Sequence, residues 1–239
     1  MIDDRKNEFK QPDPPSQLLS AKSIEYQNLV AKRKHCNKCE GILNPSSVKG
    51  GIFDSDEIGP WSLWQGNIDS KLMIIGQDWG DTEYFSSNQG FDGLENPTNN
   101  TLLSLLESIG ISVEPPVRGL KGKTLFFTNA ILCLKKGGLQ AKVKREWFDH
   151  CSKLFLKPLI EIINPKIIIT LGQRPYETLK KAFGKGILQF RRAVEKTDGF
   201  LLKDNMRLFP MYHCGKRILN THRKYGQQAI DWKRVSRFL

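Results

Sequence analysis

The sequence lacks any long apolar run, and its acidic residues are in a clear minority. No apolar stretch is long enough to cross a bilayer, and the polar start, Met1-Ile2-Asp3-Asp4, does not resemble a signal peptide. These absences predict a soluble, cytoplasmic protein with no membrane partner.

Several catalytic motifs are also missing. The sequence has no Walker loop, no His-Glu-x-x-His and no dinucleotide-binding Gly-x-Gly-x-x-Gly. Nucleotide hydrolysis, metalloprotease chemistry and a Rossmann dehydrogenase therefore lack support.

What the chain has instead is positive charge. It carries 37 Lys and Arg against 25 Asp and Glu, for a net charge of +12. From residue 185 to residue 239 there are 13 Lys and Arg against 4 Asp and Glu. Such an excess attracts a polyanion, so we expect nucleic acid as the partner. The alternative is a solvated basic face with no partner.

The 239 residues suffice for one good-sized core. Residues 1–18 are polar and read as a mobile tail, and residues 19–239 form the expected domain. Residues 18–34 predict a helix, and residues 41–70 predict an irregular connection anchored by Trp61 and Trp64.

Short apolar runs and helical periodicity alternate along the rest of the chain. The pattern predicts an α/β, single-domain three-layer sandwich: a central four-stranded, mainly parallel sheet with helices on both faces. Pro210 places its strand at a sheet edge in this prediction. The predicted strands are 71–75, 124–128, 167–171 and 207–212, and the predicted helices are 101–109, 145–163, 174–183 and 226–238.

Polar residues follow three of these strands. Gln77 and Asp78 come after the first strand, Asn129 after the second and His213 after the fourth. Ligands of such sheets bind outside the carboxyl ends of the strands. We therefore expect these side chains to converge on one crevice.

Four cysteines predict a metal or cluster site, because an intracellular protein makes little use of disulfides. They are Cys36, Cys39, Cys133 and Cys151. Four thiolates suit a zinc ion or an iron–sulfur cluster equally well, and His35 is an alternative ligand. The residues alone leave this choice open.

Four segments carry a resemblance to a known family. They are Asn67-Ile68-Asp69-Ser70-Lys71-Leu72-Met73-Ile74-Ile75-Gly76, Phe127-Thr128-Asn129-Ala130-Ile131-Leu132-Cys133, the run of residues 158–166 after Cys151, and Pro210-Met211-Tyr212-His213. In this order they resemble the uracil-DNA glycosylase superfamily, most closely its iron–sulfur (family 4) branch. Two motifs depart from that branch: Gln77-Asp78 resembles family 1, and His213-Cys214-Gly215 replaces His-Pro-Ser.

The resemblance implies roles for particular residues. Phe91 would stack on a flipped uracil, Asn129 and Gln77 would contact the base, and Glu83 would crowd its C5 position. Asp78 would activate water and His213 would stabilise the departing base. Without the resemblance, we would expect Phe91 to pack in the core and His213 to be an ordinary buried histidine. Asp78 and Asn129 would then be expected to cap helices.

The segment after His213 combines cations with two apolar residues. Lys216, Arg217 and Arg223 would contact phosphates while Ile218 and Leu219 replace the flipped base. The alternative is a surface loop whose apolar side chains pack inward.

The resemblance implies a monofunctional DNA glycosylase that hydrolyses the N-glycosidic bond of uracil or a related modified base and leaves an abasic site. It also implies a [4Fe-4S] cluster on the four cysteines, with zinc as the alternative. We expect a monomer that binds DNA and associates with the nucleoid. Two alternatives remain: a weak or inactive glycosylase-fold protein that binds modified DNA, and an unrelated zinc-bearing α/β protein that binds RNA.

Overall fold

A five-stranded sheet forms the centre of the protein in a computed structural model that describes residues 20–93, 95–138, 141–196 and 198–239. The predicted tail, residues 1–18, lies outside the described residues. The strands are β1 (Ile42–Leu43), β2 (Leu72–Gly76), β3 (Phe126–Asn129), β4 (Leu134–Lys135), β5 (Ile167–Leu171), β6 (Phe200–Lys203) and β7 (Met206–Met211). The main sheet has the order β3-β2-β5-β7-β6, and β1 pairs separately with β4.

The predicted parallel sheet is confirmed, but the predicted strand count of four is wrong. Strands β3, β2, β5 and β7 are parallel to their neighbours, whereas β6 joins β7 as an antiparallel fifth strand. Strand β6 buries Phe200 and Leu202 and exposes Leu201 and Lys203. This half-exposed strand lacks the continuous apolar run that marks a strand buried on both faces.

The predicted edge position of β7 is also wrong, since β7 lies between β5 and β6. Pro210 is accommodated because β6 pairs only with the stretch from Met206 to Leu208, whereas β5 pairs along β7 as far as Met211. At Pro210 one side of the strand thus lies beyond the β6 ladder, where a missing N–H removes no ladder hydrogen bond.

The helices confirm the predicted alternation. They are α1 (Ala21–Lys34), α2 (Pro60–Trp64), α3 (Thr82–Ser87), α4 (Pro97–Glu107), α5 (Arg145–Cys151), α6 (Lys157–Ile163), α7 (Gln173–Ala182), α8 (Phe190–Val194), α9 (Lys216–Thr221) and α10 (Tyr225–Lys233). A π-helical turn, Ser152–Leu156, joins α5 to α6, and 3-10 helices span Pro45–Gly51 and Val235–Phe238. The side chains of Ser20 and Asn96 cap α1 and α4.

Alternate residues of the central strands enter two separate apolar layers, because successive side chains of a strand point to opposite faces. Met73 and Ile75 face a layer built from α1, α5, α6 and α7. Leu72 and Ile74 face a second layer built from α2, α4 and α10. Helices therefore cover both faces, as predicted.

The connection before β2 is more ordered than its composition indicates, because it contains β1, a 3-10 helix and α2. Trp61 and Trp64 anchor it as predicted, with ring centroids 5.5 and 5.0 Å from that of Phe127. None of the helices in the described part of the chain is long and apolar enough to cross a membrane.

Candidate functional site

Asp78, Asn129 and His213 all lie on the side of the main sheet that is formed by the carboxyl ends of its parallel strands. Asp78 follows β2, Asn129 ends β3 and His213 follows β7. The Asn129 side chain donates from Nδ2 to the main-chain oxygen of Asp78 at 3.2 Å. This packing requires glycine at position 76, since an added Cβ would lie 2.6 Å from Asn129 Nδ2.

The Asp78 carboxylate is buried and held by two neighbours. Lys135 Nζ lies 3.0 Å from Oδ1, and Gln77 Nε2 donates to Oδ2 at 2.8 Å. Both partners of the ion pair have side chains only 7% exposed. The position of Lys135 in β4 is set by its main-chain N–H, which donates to the Gly80 oxygen at 3.0 Å.

Sequence reasoning missed Lys135, and no local signal distinguishes it. Lys136 is the adjacent residue and carries the same side chain, but it is exposed while Lys135 is buried. The difference arises from the pairing of β4 with β1 and from the contact with the segment after β2.

His213 is set up as a neutral hydrogen-bond donor. Burial lowers the pKa of its imidazole, and the Asp78 carboxylate partly opposes this shift. The Gly215 N–H donates to Nδ1 at 3.0 Å, so the proton of the neutral ring resides on Nε2. A side chain at position 215 would crowd this arrangement, because an added Cβ would lie 2.9 Å from His213 Nδ1.

Phe91 lies in a braced loop between α3 and α4. The neighbouring Asp92 accepts hydrogen bonds from Tyr84 Oη, from Asn96 Nδ2 at 3.1 Å and from Asn99 Nδ2 at 2.6 Å. The half-buried Phe91 ring lies 5.2 Å from the guanidinium carbon of Arg118. The loop is thus held by a polar network that sequence reasoning did not find.

The predicted base-contacting residues Glu83 and Phe91 lie in α3 and in the loop that follows it, respectively. Glu83 is exposed in the first turn of α3. In the described part of the chain, no hydrogen bond, ion pair or ring contact joins either side chain to Asp78, Asn129 or His213.

The predicted DNA-penetrating segment forms a short helix, α9. Lys216 and Arg217 are exposed, whereas Ile218 and Leu219 are half-buried. Arg223 donates to both oxygens of the buried Asp231, at 2.9 and 2.7 Å. This bidentate contact raises the pKa of the guanidinium and anchors α10 to the end of α9.

A cavity of about 400 Å³ is lined in part by His213. Its wall includes Phe190, Tyr212 and Ile218. Asp78 and Asn129 do not line this cavity.

The four predicted ligand cysteines line one cavity of about 310 Å³. Cys36 and Cys39 follow α1, Cys133 precedes β4 and Cys151 ends α5. The pKa of the Cys133 thiol is raised to about 12, mainly by burial and also by electrostatic repulsion from Cys36 and Cys39. The tertiary structure therefore brings together thiols that are far apart in the sequence, and all are free of disulfides.

The donor set fits a group held by thiolates alone. Among the described residues, no group of three or more His, Cys, Asp or Glu is arranged to hold a single metal ion. His35 Nδ1 donates to the Ala31 oxygen at 2.8 Å. His150, which was not predicted, places Nδ1 3.5 Å from Cys39 Sγ.

Comparisons with known proteins agree with this geometry. The family model described as the uracil DNA glycosylase superfamily matches residues 63–233, more than half of the chain. The matched range contains Asp78, Asn129 and His213. A search of the curated proteins finds no match.

Proposed function

This chain belongs to the uracil DNA glycosylase superfamily, and we propose that it is a monofunctional DNA glycosylase. Its reaction is hydrolysis of the N-glycosidic bond of uracil, or of a related deaminated or modified base, which leaves an abasic site for base-excision repair. The observation that carries the proposal is the buried, ion-paired Asp78 at the same sheet edge as Asn129 and His213.

The target base must leave the helical stack before it can be attacked. Asn129 is suited to read the flipped base, since only one N–H of its amide is used by the Asp78 main chain. A second N–H and the amide oxygen remain to pair with a carbonyl and an imide N–H of the base. Uracil presents those two groups side by side.

Asp78 orients and activates the water that attacks the sugar. Its contacts with Lys135 and Gln77 fix the plane of the carboxylate, and each oxygen retains a lone pair for the water. Across the base, His213 donates from Nε2 to the O2 atom and stabilises the negative charge of the departing ring. The reaction thereby uses preorganised groups on both sides of the breaking bond.

A lysine near the sugar raises the question of strand cleavage, because a free amine attacks C1′ of an abasic site to form a Schiff base. Lys135 Nζ is engaged in a buried ion pair with Asp78 Oδ1 at 3.0 Å, so it is not presented as a nucleophile. Strand cleavage is therefore not part of the proposal.

An oligonucleotide assay tests this function directly. DNA with a single uracil, or with another deaminated base, is incubated with the protein and then divided. We expect cleavage only in the portion treated with alkali, and excision at least 100-fold slower in Asp78→Asn and His213→Ala variants. Asp56→Asn is the matched control because Asp56 is 87% exposed. Intact strands across the whole panel would refute the proposed activity.

One observation favours a second candidate, a weak or inactive glycosylase that binds modified DNA. Both carboxylate oxygens of Asp78 already accept hydrogen bonds, and the side chain is nearly inaccessible. In that case Asp78→Asn and His213→Ala would bind DNA with a modified base as tightly as the wild type does. This candidate would be excluded if the wild type excises the base and both variants have lost that activity.

We further propose that Cys36, Cys39, Cys133 and Cys151 hold a [4Fe-4S] cluster, as in the family 4 branch. Support comes from the shared cavity and the thiol-only donor set. The group would tie the end of α1 to β4 and α5 in a structural role. Anaerobically purified protein should contain iron and acid-labile sulfide, and Cys133→Ser should lose both. Stoichiometric zinc without iron would establish the alternative.

A further inference from the structure

We propose that the cavity between the carboxyl ends of β5 and β7 binds the base of the nucleotide next to the one that is excised. We call it the flanking-base cavity, defined by Gly172, Gln189, Phe190, Tyr212 and Ile218 together with His213. The inference rests on the proposed function and deepens it, because it assigns a second base-binding site to the same sheet edge.

The cavity lies next to the strands that carry Asp78 and Asn129. Gly172 follows β5 and Tyr212 follows β7, which are neighbouring parallel strands. Asp78 and Asn129 follow β2 and β3, which form the adjacent half of the sheet. The two pairs of strands are offset by two strand spacings, about 10 Å. His213 lies in the wall of the cavity, and the Asp78 carboxylate is close enough to it to oppose the lowering of its pKa. A base in this cavity would therefore neighbour the reacting nucleotide.

The lining of the cavity suits a nucleobase. The rings of Phe190 and Tyr212 are both half-buried, and their centroids lie 5.0 Å apart at an interplanar angle of 67°. Unpaired bases stack on such rings because every base presents a π face. The exposed amide of Gln189 at the rim adds a donor and an acceptor for a base edge. A volume of about 400 Å³ provides room for a base and part of its sugar.

Exposed basic side chains lie at the rim of the cavity and on α9. Arg191 at the rim and Lys216 and Arg217 on α9 are exposed. Arg191 Nε lies 3.7 Å from Glu195 Oε1 in a loose surface contact. A polynucleotide backbone passing over the cavity would meet these cations, which contact phosphates without regard to sequence.

The same lining argues against the flipped base as the occupant. Neither Asp78 nor Asn129 lines the cavity, so a base bound here would lack the groups proposed to read it and to activate water. Ile218, which the sequence predicts to replace the flipped base in the duplex, also lies in the cavity wall. Its contact would be with the flanking base.

The experiment combines substrate and protein changes. Three single-stranded oligonucleotides carry one uracil: one is intact, one has a tetrahydrofuran abasic residue immediately 5′ of the uracil, and one has it immediately 3′. For the wild type we expect kcat/KM to fall about tenfold on one of the two abasic-flanked substrates, as the loss of one base–aromatic stack predicts. Phe190→Leu should show this loss already on the intact substrate and no further loss when the flanking base is removed.

Gln189→Ala serves as the second variant, because its exposed side chain can be removed without loss of the fold. It should reduce the preference for the intact flank by a smaller factor. Equal losses for Phe190→Leu on all three substrates, or a wild type that is indifferent to both flanks, would overturn the inference.

Fluorescence anisotropy with the same oligonucleotides separates this inference from the proposed function. One outcome is that the wild type fails to excise the base while its binding still depends on one flanking base and on Phe190. That result would refute the glycosylase activity but support the flanking-base cavity. Binding by the wild type that ignores both flanking bases would refute the cavity, whatever the activity.

Discussion

At the scale of single residues, Asp78 depends on Lys135 for its orientation. The two side chains form a 3.0 Å ion pair that is almost completely buried. Removing one partner of such a pair leaves an uncompensated charge in the interior, which costs more than the pair itself contributes.

We therefore predict that Lys135→Met lowers the free energy of unfolding by about 3 kcal/mol and slows excision at least tenfold. Urea denaturation and single-turnover excision measure the two effects. The double variant Lys135→Met/Asp78→Asn should recover part of the stability and none of the activity. Lys136→Met, a change at the exposed neighbouring lysine, should behave like the wild type; equal destabilisation at both positions would contradict the assignment.

His213 gives the activity a predictable pH dependence. Its pKa is lowered by burial, so the ring is neutral at pH 7 and gains a proton only below the usual value of about 6.5. Protonation would place a hydrogen on Nδ1 against the Gly215 N–H. The pH–rate profile of kcat should therefore be flat near neutrality and fall in the acid range.

The same shift affects stability. Between the lowered pKa and about 6.5 the unfolded chain binds more protons, so the free energy of unfolding decreases as pH falls through that window. His213→Asn should lose this part of the pH dependence of stability, as measured by urea denaturation at several pH values. His222→Asn, at an exposed position, should retain it. An unchanged acid dependence in His213→Asn would assign the effect to other groups.

Residues at strand ends were predictable, whereas their partners were not. Asp78, Asn129 and His213 stand out because each is polar and lies at or just beyond the carboxyl end of an apolar strand. Lys135 contacts Asp78 only because β4 and the segment after β2 lie side by side in the fold. No periodicity of the chain encodes that contact.

At the scale of elements, a buried ion pair holds α1 against the connection that follows it. Arg33 donates from one nitrogen to both oxygens of Asp54, at 2.7 and 2.8 Å, and from the other to the main-chain oxygens of Ser55 and Glu57. The Arg33 and Asp54 side chains are 2% and 5% exposed. The contact fixes the end of α1, from which Cys36 enters the cysteine cavity.

We predict that Asp54→Ala lowers the free energy of unfolding by about 3 kcal/mol, because it leaves the Arg33 charge buried without its carboxylate. It should also reduce the iron retained per chain if the proposed cluster is present, since Cys36 would lose its support. Asp56→Ala removes an exposed partner of Lys34 and should change stability by less than about 0.5 kcal/mol. A small effect of Asp54→Ala would show that the loop is held by other contacts.

Elements buried on both faces were predicted well, and the half-exposed one was missed. Strands β2 and β5 are continuous apolar runs because helices cover both of their faces. Strand β6 alternates buried and exposed residues over four positions, which is too short a pattern to distinguish from a loop. Pro210 indicated an edge strand. The interior strand β7 tolerates this proline because β6 is too short to pair with β7 at that position.

At the scale of the whole molecule, the positive charge suits a polyanionic partner such as DNA. The net charge is +12, and the excess is concentrated after residue 185. Neutralising phosphates releases counterions, so affinity should fall steeply with salt concentration.

Removing one phosphate contact lowers the slope of log affinity against log salt by about one. We predict this change for Arg217→Ala and for Lys216→Ala, both exposed on α9, measured by fluorescence anisotropy over a salt series. Lys32→Ala, an exposed residue of α1, should leave the slope unchanged. Equal effects at all three positions would indicate a diffuse field rather than a contact surface at α9.

Local patterns in the sequence were enough to predict the parallel α/β architecture and to single out the polar residues at the strand ends and the four cysteines. These features follow from local patterns, because the period of apolar residues specifies each element and parallel strands share one edge. The contact between Lys135 and Asp78, the shared cavity of the cysteines and the second cavity beside His213 become visible only in the folded chain. Those contacts join residues far apart in the chain, and packing alone brings them together.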